Sequence, residues 1–224
     1  KTPPVTVIGS GLAALEIVFA LRKRWPKRSV QLKIFLDKTN KQIRKSLSAA
    51  NIEVINNENL ITGPTLLCTG NDSPQWLSDT GLPTNSIGRI LTRNTFQSIQ
   101  QKYIFAVGDC GVIEQDARPA SGVWAVRAAN PLAKNLERFI SGSDPVSWFP
   151  QRNALQLMSG PFKENVSFGW AFWKGINIGP FYSLWKLKKF IDLRFIAMFE
   201  NLSSMRDEIN TIDPNQMCRG CAAK

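Results

Sequence analysis

The chain has 224 residues, 43% of them hydrophobic, and a formal charge of +11, which supports one sizeable core or two small ones and excludes a disordered chain. No stretch reaches the roughly 18 consecutive apolar residues of a membrane-spanning helix, and Lys1-Thr2-Pro3-Pro4 does not read as a signal peptide, so the sequence reads as cytoplasmic. It contains no histidine, which excludes Ser-His or Cys-His nucleophiles and His-ligated metals within it and leaves any hard chemistry to a cofactor.

Val5 to Ile8 reads as a buried strand and Ala13 to Arg24 as a helix with Leu15, Val18 and Phe19 on its apolar face, ended by Pro26. Val30 to Phe35 alternates as a second strand, completing a βαβ start. Asn40 can cap a short helix through Ala49, Ile52 to Ile55 is a brief strand, and Thr65 to Gly70 is an apolar run closed by glycine. Arg89 to Thr92 and Tyr103 to Val107 supply two more strands. Gly122 to Ile140 is a long helix with Val126, Ala129, Ala133, Leu136 and Ile140 along one face. Ala154 to Ser159 and Val166 to Ala171 read as a hairpin turning at Gly160-Pro161, Phe181 to Phe199 as a basic amphipathic helix, and the polar stretch from Asn201 to Gln216 as a linker. Alternating strands and helices predict an α/β fold: a Rossmann-like parallel sheet with a small α+β region after it.

Two glycine turns carry the chemistry. In Val7-Ile8-Gly9-Ser10-Gly11-Leu12 an apolar strand enters a G-x-G turn and then a helix, so backbone N–H groups and the positive helix end can face a pyrophosphate. Ala14 stands where a third glycine often sits. Asp37, about 26 residues after Gly11 where about 20 is usual, is the candidate for a ribose hydroxyl, or a solvated turn aspartate. Ile104-Phe105-Ala106-Val107-Gly108-Asp109 ends on a carboxylate able to accept from polyol hydroxyls. The positive charge suits phosphorylated partners, but no Lys/Arg run tracks a nucleic-acid backbone and the aromatics gather late, so a dinucleotide ranks above nucleic acid. Cys68 and Cys110, beside apolar strands, read as buried structural thiols; Cys218 and Cys221 form a lone C-x-x-C with no second half for a zinc site.

The order of these motifs, G-x-G, then an apolar strand closing on Thr69-Gly70, then F-A-V-G-D, resembles the pyridine nucleotide-disulfide oxidoreductases, in particular the type II NADH dehydrogenase-like branch without a redox disulfide. The resemblance covers residues 5–199. It implies that Gly9, Ser10, Gly11, Glu16, Asp37 and Gly70 serve NAD(P)H, that Gly108 and Asp109 serve FAD, and that Gly122, Val123 and Trp124 bring a helix N-terminus under the flavin, with plain helix core the alternative for Val123 to Arg127. Phe149 to Leu155, the late aromatic segment and Met217-Cys218-Arg219-Gly220-Cys221-Ala222-Ala223-Lys224 resemble the protein in which this domain is fused to a selenide, water dikinase. That narrower resemblance implies Cys221 and Lys224 as the first catalytic residues of the dikinase, with ATP and Mg²⁺ as its cofactors and its body beyond Lys224.

The implied activity is hydride transfer from NAD(P)H to FAD, with a quinone or a selenium or sulfur species as the small-molecule acceptor. The family's amino-terminal βαβ segment for the FAD adenylate would precede this chain, so the FAD site is expected to be incomplete, and the segment from Lys38 to Thr65 is short for the family's NAD-domain meander. The implied division is 1–100 for NAD(P), 101–142 for part of the FAD domain, 143–200 for the hairpin and helix, and 201–224 for the linker and dikinase start. A non-catalytic dinucleotide scaffold and a membrane-surface adaptor stay open beside this reading. The stripe Leu184, Leu187, Ile191, Phe195 and Met198 fits core packing, a homo-oligomer interface or membrane docking.

Overall fold

The computed structural model describes residues 2–34, 41–70, 72–164 and 166–200. Four short parallel strands, β1 (Val5–Ile8), β2 (Val30–Lys33), β3 (Ile52–Ile55) and β4 (Thr65–Leu67), form a sheet in the order β3-β2-β1-β4. This is the expected Rossmann-like sheet. One face carries Val7, Val30, Leu32 and Ile52, which bury helix α1 (Leu12–Arg24) and helix α2 (Lys41–Ala49) through Ala14, Leu15, Val18, Phe19, Ile43 and Leu47. The other face is polar yet closed. Thr6 donates to Gln31 and Gln31 donates to Glu53 in a hydrogen-bonded row across β1, β2 and β3. The buried Lys33 ammonium pairs with Glu58 on the 3-10 turn Glu58–Leu60 that links β3 to β4. β2 is therefore buried on both faces, as a central parallel strand is.

β4 is an exposed edge strand, where a buried one was expected: Leu67 is 72% exposed.

A second, two-stranded parallel sheet pairs β5 (Ile90–Thr92) with β6 (Gly111–Ile113), preceded by the short helix α3 (Gln75–Asp79) and followed by α4 (Gly122–Ile140). The expected strand from Tyr103 to Val107 does not form. Its backbone bonds go to a loop instead: the Ser98 N–H donates to the Ile104 carbonyl and the Ala106 N–H to the Phe96 carbonyl. On α4 the stripe Val126, Ala129, Ala133, Leu136 and Ile140 points outward, against expectation. The buried residues are Ala128 and Asn135, because the Asn135 amide bonds the Thr95 and Val146 carbonyls and accepts from the Val146 N–H.

The expected hairpin is a three-stranded antiparallel sheet, β7 (Gln156–Lys163), β8 (Val166–Trp173) and β9 (Ile176–Phe181). Gly160-Pro161 lies inside β7 at a bulge rather than at the turn. A Cβ on Gly160 would lie 2.7 Å from the fully buried Trp170 ring, so the glycine serves packing. Met158 and Trp170 join the core around α1, which is thus covered by a sheet on each side. Helix α5 (Tyr182–Glu200) meets β8 where Gly169 approaches the backbone of Leu184 and Trp185. Of the expected stripe, Leu184 is half-buried while Leu187, Ile191 and Phe195 are exposed, as are Phe190, Leu193, Ile196 and Phe199. Among the described residues no helix is long and apolar enough to cross a membrane.

Candidate functional site

β1 ends at the carboxyl edge of the parallel sheet, between the ends of β2 and β4. The Gly9 N–H donates to the Lys33 carbonyl at 2.9 Å, and the Cys68 N–H donates to the Ile8 carbonyl at 2.7 Å. A Cβ on Gly9 would lie 2.3 Å from the Cys68 carbonyl oxygen and 3.0 Å from Ala14 Cβ, so no side chain fits there. Gly11 differs: it is the N-cap of α1 with extended backbone (φ −89°), and a Cβ on it would meet nothing within 4 Å. Its missing side chain leaves open space over the helix end. No acidic residue occupies the first turn of α1, leaving the positive helix end without a counter-charge from its own sequence.

That space belongs to a cleft of about 1240 Å³. One wall is the turn from Gly9 to Ala13 and the end of β4 from Leu67 to Gly70; the other is the loop from Ala117 to Ser121 that opens α4. Gly70 holds φ +106°, a backbone conformation that side chains rarely adopt. Arg89 and Arg118 also line the cleft, and none of the described residues lining it carries a carboxylate. Two helix N-termini and two arginines, with no acidic side chain among the described lining residues, make the cleft electropositive and suited to an anionic ligand.

Arg89 is 6% exposed and stitches this region together. Its guanidinium donates to the Arg118 carbonyl at 2.8 Å, to the Gly108 carbonyl at 2.6 Å, and to the Gly111 carbonyl. Burial lowers its pKa, against the pull of Asp109 and Cys110, and a guanidinium remains charged through such a shift. The sequence placed it only at the start of the strand Arg89 to Thr92, because its partners are carbonyls from residues 108, 111 and 118. Arg118 pairs with Asp116 at 2.7 Å and, with Arg127, flanks the Trp124 ring at 5.7 and 5.5 Å.

The expected site residues divide. Gly9, Ser10, Gly11 and Gly70 line the cleft. Gly108 (φ +64°, the left-handed region) and Trp124 line instead a smaller cavity of about 40 Å³ between β5, β6 and α4. Arg89, Arg118 and Ser121 line both spaces, so the two glycine turns are joined through Arg89 rather than facing one another directly. Asp109 is exposed beside the Gly108 turn; its carbonyl accepts from Ser73 Oγ. Gly122 and Val123 form the first turn of α4, where the Ser121 hydroxyl makes no cap bond. Glu16 lies away from the cleft, accepting from the Ser159 N–H at 2.6 Å with the Lys188 ammonium 3.6 Å off, and so ties α1 to β7 and α5. Cys68 is half-buried at the cleft and Cys110 is exposed, so neither is the fully buried thiol expected. Asp37, Cys218, Cys221 and Lys224 lie outside the described residues.

No family model matches this chain, and neither does any curated protein. Its fold does match solved structures. Bacillus anthracis CoADR-RHD in its reduced form superposes with a TM-score of 0.54 at 17% identity, covering 75% of this chain and 34% of that one. An NAD-dependent persulfide reductase from A. fulgidus gives 0.54 at 18%, covering 75% and 35%. A pyridine nucleotide-disulfide family oxidoreductase from Enterococcus faecalis V583 gives 0.52 at 16%, covering 77% and 54%. The chain thus spans from about a third to about half the length of these neighbours. At such identities the likeness is one of fold alone, that of a Rossmann-like α/β sheet.

Proposed function

We propose that this chain is the nucleotide-binding part of an FAD-dependent NAD(P)H oxidoreductase. The observation that carries the reading is the cleft itself, in which a glycine turn with room over Gly11 faces the N-terminal loop of α4 across a space free of acidic side chains. In this reading Gly11 admits a pyrophosphate of NAD(P)H close to the backbone amides of α1, and Arg89 and Arg118 offset its charge. Asp109 and the first turn of α4 fit a flavin: the exposed carboxylate accepts from polyol hydroxyls, and the positive helix end favours negative charge on the ring, by about 0.3–1 kcal/mol at an exposed site. The chemistry the bound pair supplies is hydride transfer from NAD(P)H to FAD and onward to a quinone or a selenium or sulfur species. The further reading, that this domain is fused to a selenide, water dikinase using ATP and Mg²⁺, is supported by the sequence of residues 217–224 alone.

The test is anaerobic titration of the FAD-reconstituted protein with NADH and NADPH. Bleaching of the flavin band supports the oxidoreductase. Nucleotide binding without bleaching would favour a non-catalytic dinucleotide scaffold, and no binding would overturn both.

A second reading concerns α5, whose exposed Phe190, Ile191, Leu193, Ile196 and Phe199 leave its outer half apolar on most sides. A helix apolar all round is ordinarily covered. With Lys186 over Tyr182 and Lys189 over Trp185 at its base, docking on an anionic membrane surface fits this composition. Pelleting with vesicles containing phosphatidylserine, lost in I191D/F195D, would support it; pelleting unchanged in that variant would overturn it.

A further inference from the structure

The cavity beneath the start of α4 has an unusual lining. Four buried side-chain polar atoms among the described residues lack a hydrogen-bond partner, and three of them, Arg89 Nε, Thr92 Oγ1 and Ser121 Oγ, belong to residues lining this one space. Thr92 is 1% exposed and Arg89 6%. Buried donors left unpaired are costly, and their clustering marks a place where a ligand completes the bonding. Arg89 Nε–H can only donate, so the ligand presents an acceptor. The guanidinium donates to three neutral carbonyls, and the acidic group that acts on it, Asp109, is solvent-exposed. The carboxylate lining the cavity, Asp116, is committed to Arg118. With Arg89, Arg118 and Asp116 the cavity walls hold a net charge of one positive unit, which a water cannot balance and a monovalent anion can.

We infer that this cavity, lined by Arg89, Thr92 and Ser121, is a binding site for a small monovalent inorganic anion of the size of chloride or bromide. About 40 Å³ of space available to water-sized atoms admits such an ion and excludes a dinucleotide or a sugar phosphate. Phe96, Trp124 and Trp148 form part of the apolar wall. Because Arg89 and Ser121 also line the large cleft, the ion sits directly behind the wall of the nucleotide site. The inference stands independently of the oxidoreductase reading.

The experiment uses bromide as probe on the full chain. Crystals grown in sodium bromide and measured at the bromine edge are expected to show an anomalous peak bounded by Arg89, Thr92 and Ser121. In solution, excess broadening of the ³⁵Cl resonance is expected to weaken about tenfold in affinity for Thr92→Val and for Ser121→Ala, both of which preserve net charge and so leave diffuse surface binding untouched. Ser121→Ala removes no helix cap bond, and Thr92→Val is close in shape, so both variants fold. Density at water level without an anomalous peak overturns the inference, as does chloride broadening identical in wild type and both variants.

Discussion

Gly9 and Gly11 stand two residues apart in the same turn, and the structure assigns them opposite duties. Bringing an alanine Cβ at position 9 from 2.3 Å to the 3.4 Å of ordinary contact with the Cys68 carbonyl oxygen requires β4 to move away from β1 by about an ångström, against the 2.7 Å bond from Cys68 N–H to Ile8. Overpacking of that kind costs about 1–3 kcal/mol. At position 11 the backbone already suits an L-residue and the Cβ meets nothing, so Gly11→Ala gains about 0.4–1 kcal/mol by restricting the unfolded chain. The two variants should therefore differ by about 1.4–4 kcal/mol in urea denaturation. Binding reverses the order of severity: Gly11→Val, which folds, places three carbons where the pyrophosphate approaches and should weaken NADH affinity at least a hundredfold, about 2.7 kcal/mol. Fluorescence titration of bound NADH reads this directly. Wild-type affinity in Gly11→Val, or equal stability of Gly9→Ala and Gly11→Ala, would refute the assignment.

Further outcomes follow from other parts of the molecule. The Glu58 carboxyl is held below its usual pKa, first by its hydrogen bond from Lys33 and then by that group's charge; a depressed folded value means stability present above about pH 4.3 and lost as pH falls through the folded value. Glu58→Gln should accordingly destabilise the protein near neutrality, with the difference from wild type closing below pH 4 in thermal melts. Gly160→Ala forces a methyl to within 2.7 Å of the Trp170 ring and should cost about 1–3 kcal/mol, accompanied by a change in tryptophan emission; unchanged emission and stability would contradict the packing role. The 224-residue chain should retain less than one equivalent of FAD after gel filtration, since Asp109 and α4 offer one wall of a flavin site; a stoichiometrically yellow product would contradict that.

Local signals were legible in the sequence, and choices between faces were not. The β1–α1 turn could be read because strand, G-x-G and helix are adjacent, and each glycine answers to a contact or an opening nearby. The α4 stripe misled because periodicity reports that a helix has an apolar side without saying which side meets the core; buried Asn135 holds the opposite face inward through three bonds to residues 95 and 146. Gly160-Pro161 looked like a turn because sequence cannot show a tryptophan arriving from the next strand. Tyr103 to Val107 has strand composition, but its backbone partners are loop residues 96 and 98. Arg89 was invisible for a related reason: its role lies in three carbonyls from residues 108, 111 and 118, all distant in sequence.

Hydrogen–deuterium exchange of the chain with and without NADH puts the two-walled cleft to the most direct test. Slowed exchange is expected at residues 9–13 and 67–70 on one wall and at 117–122 on the other, together and at the same nucleotide concentration. Protection confined to one wall, or none at saturating NADH, would contradict it.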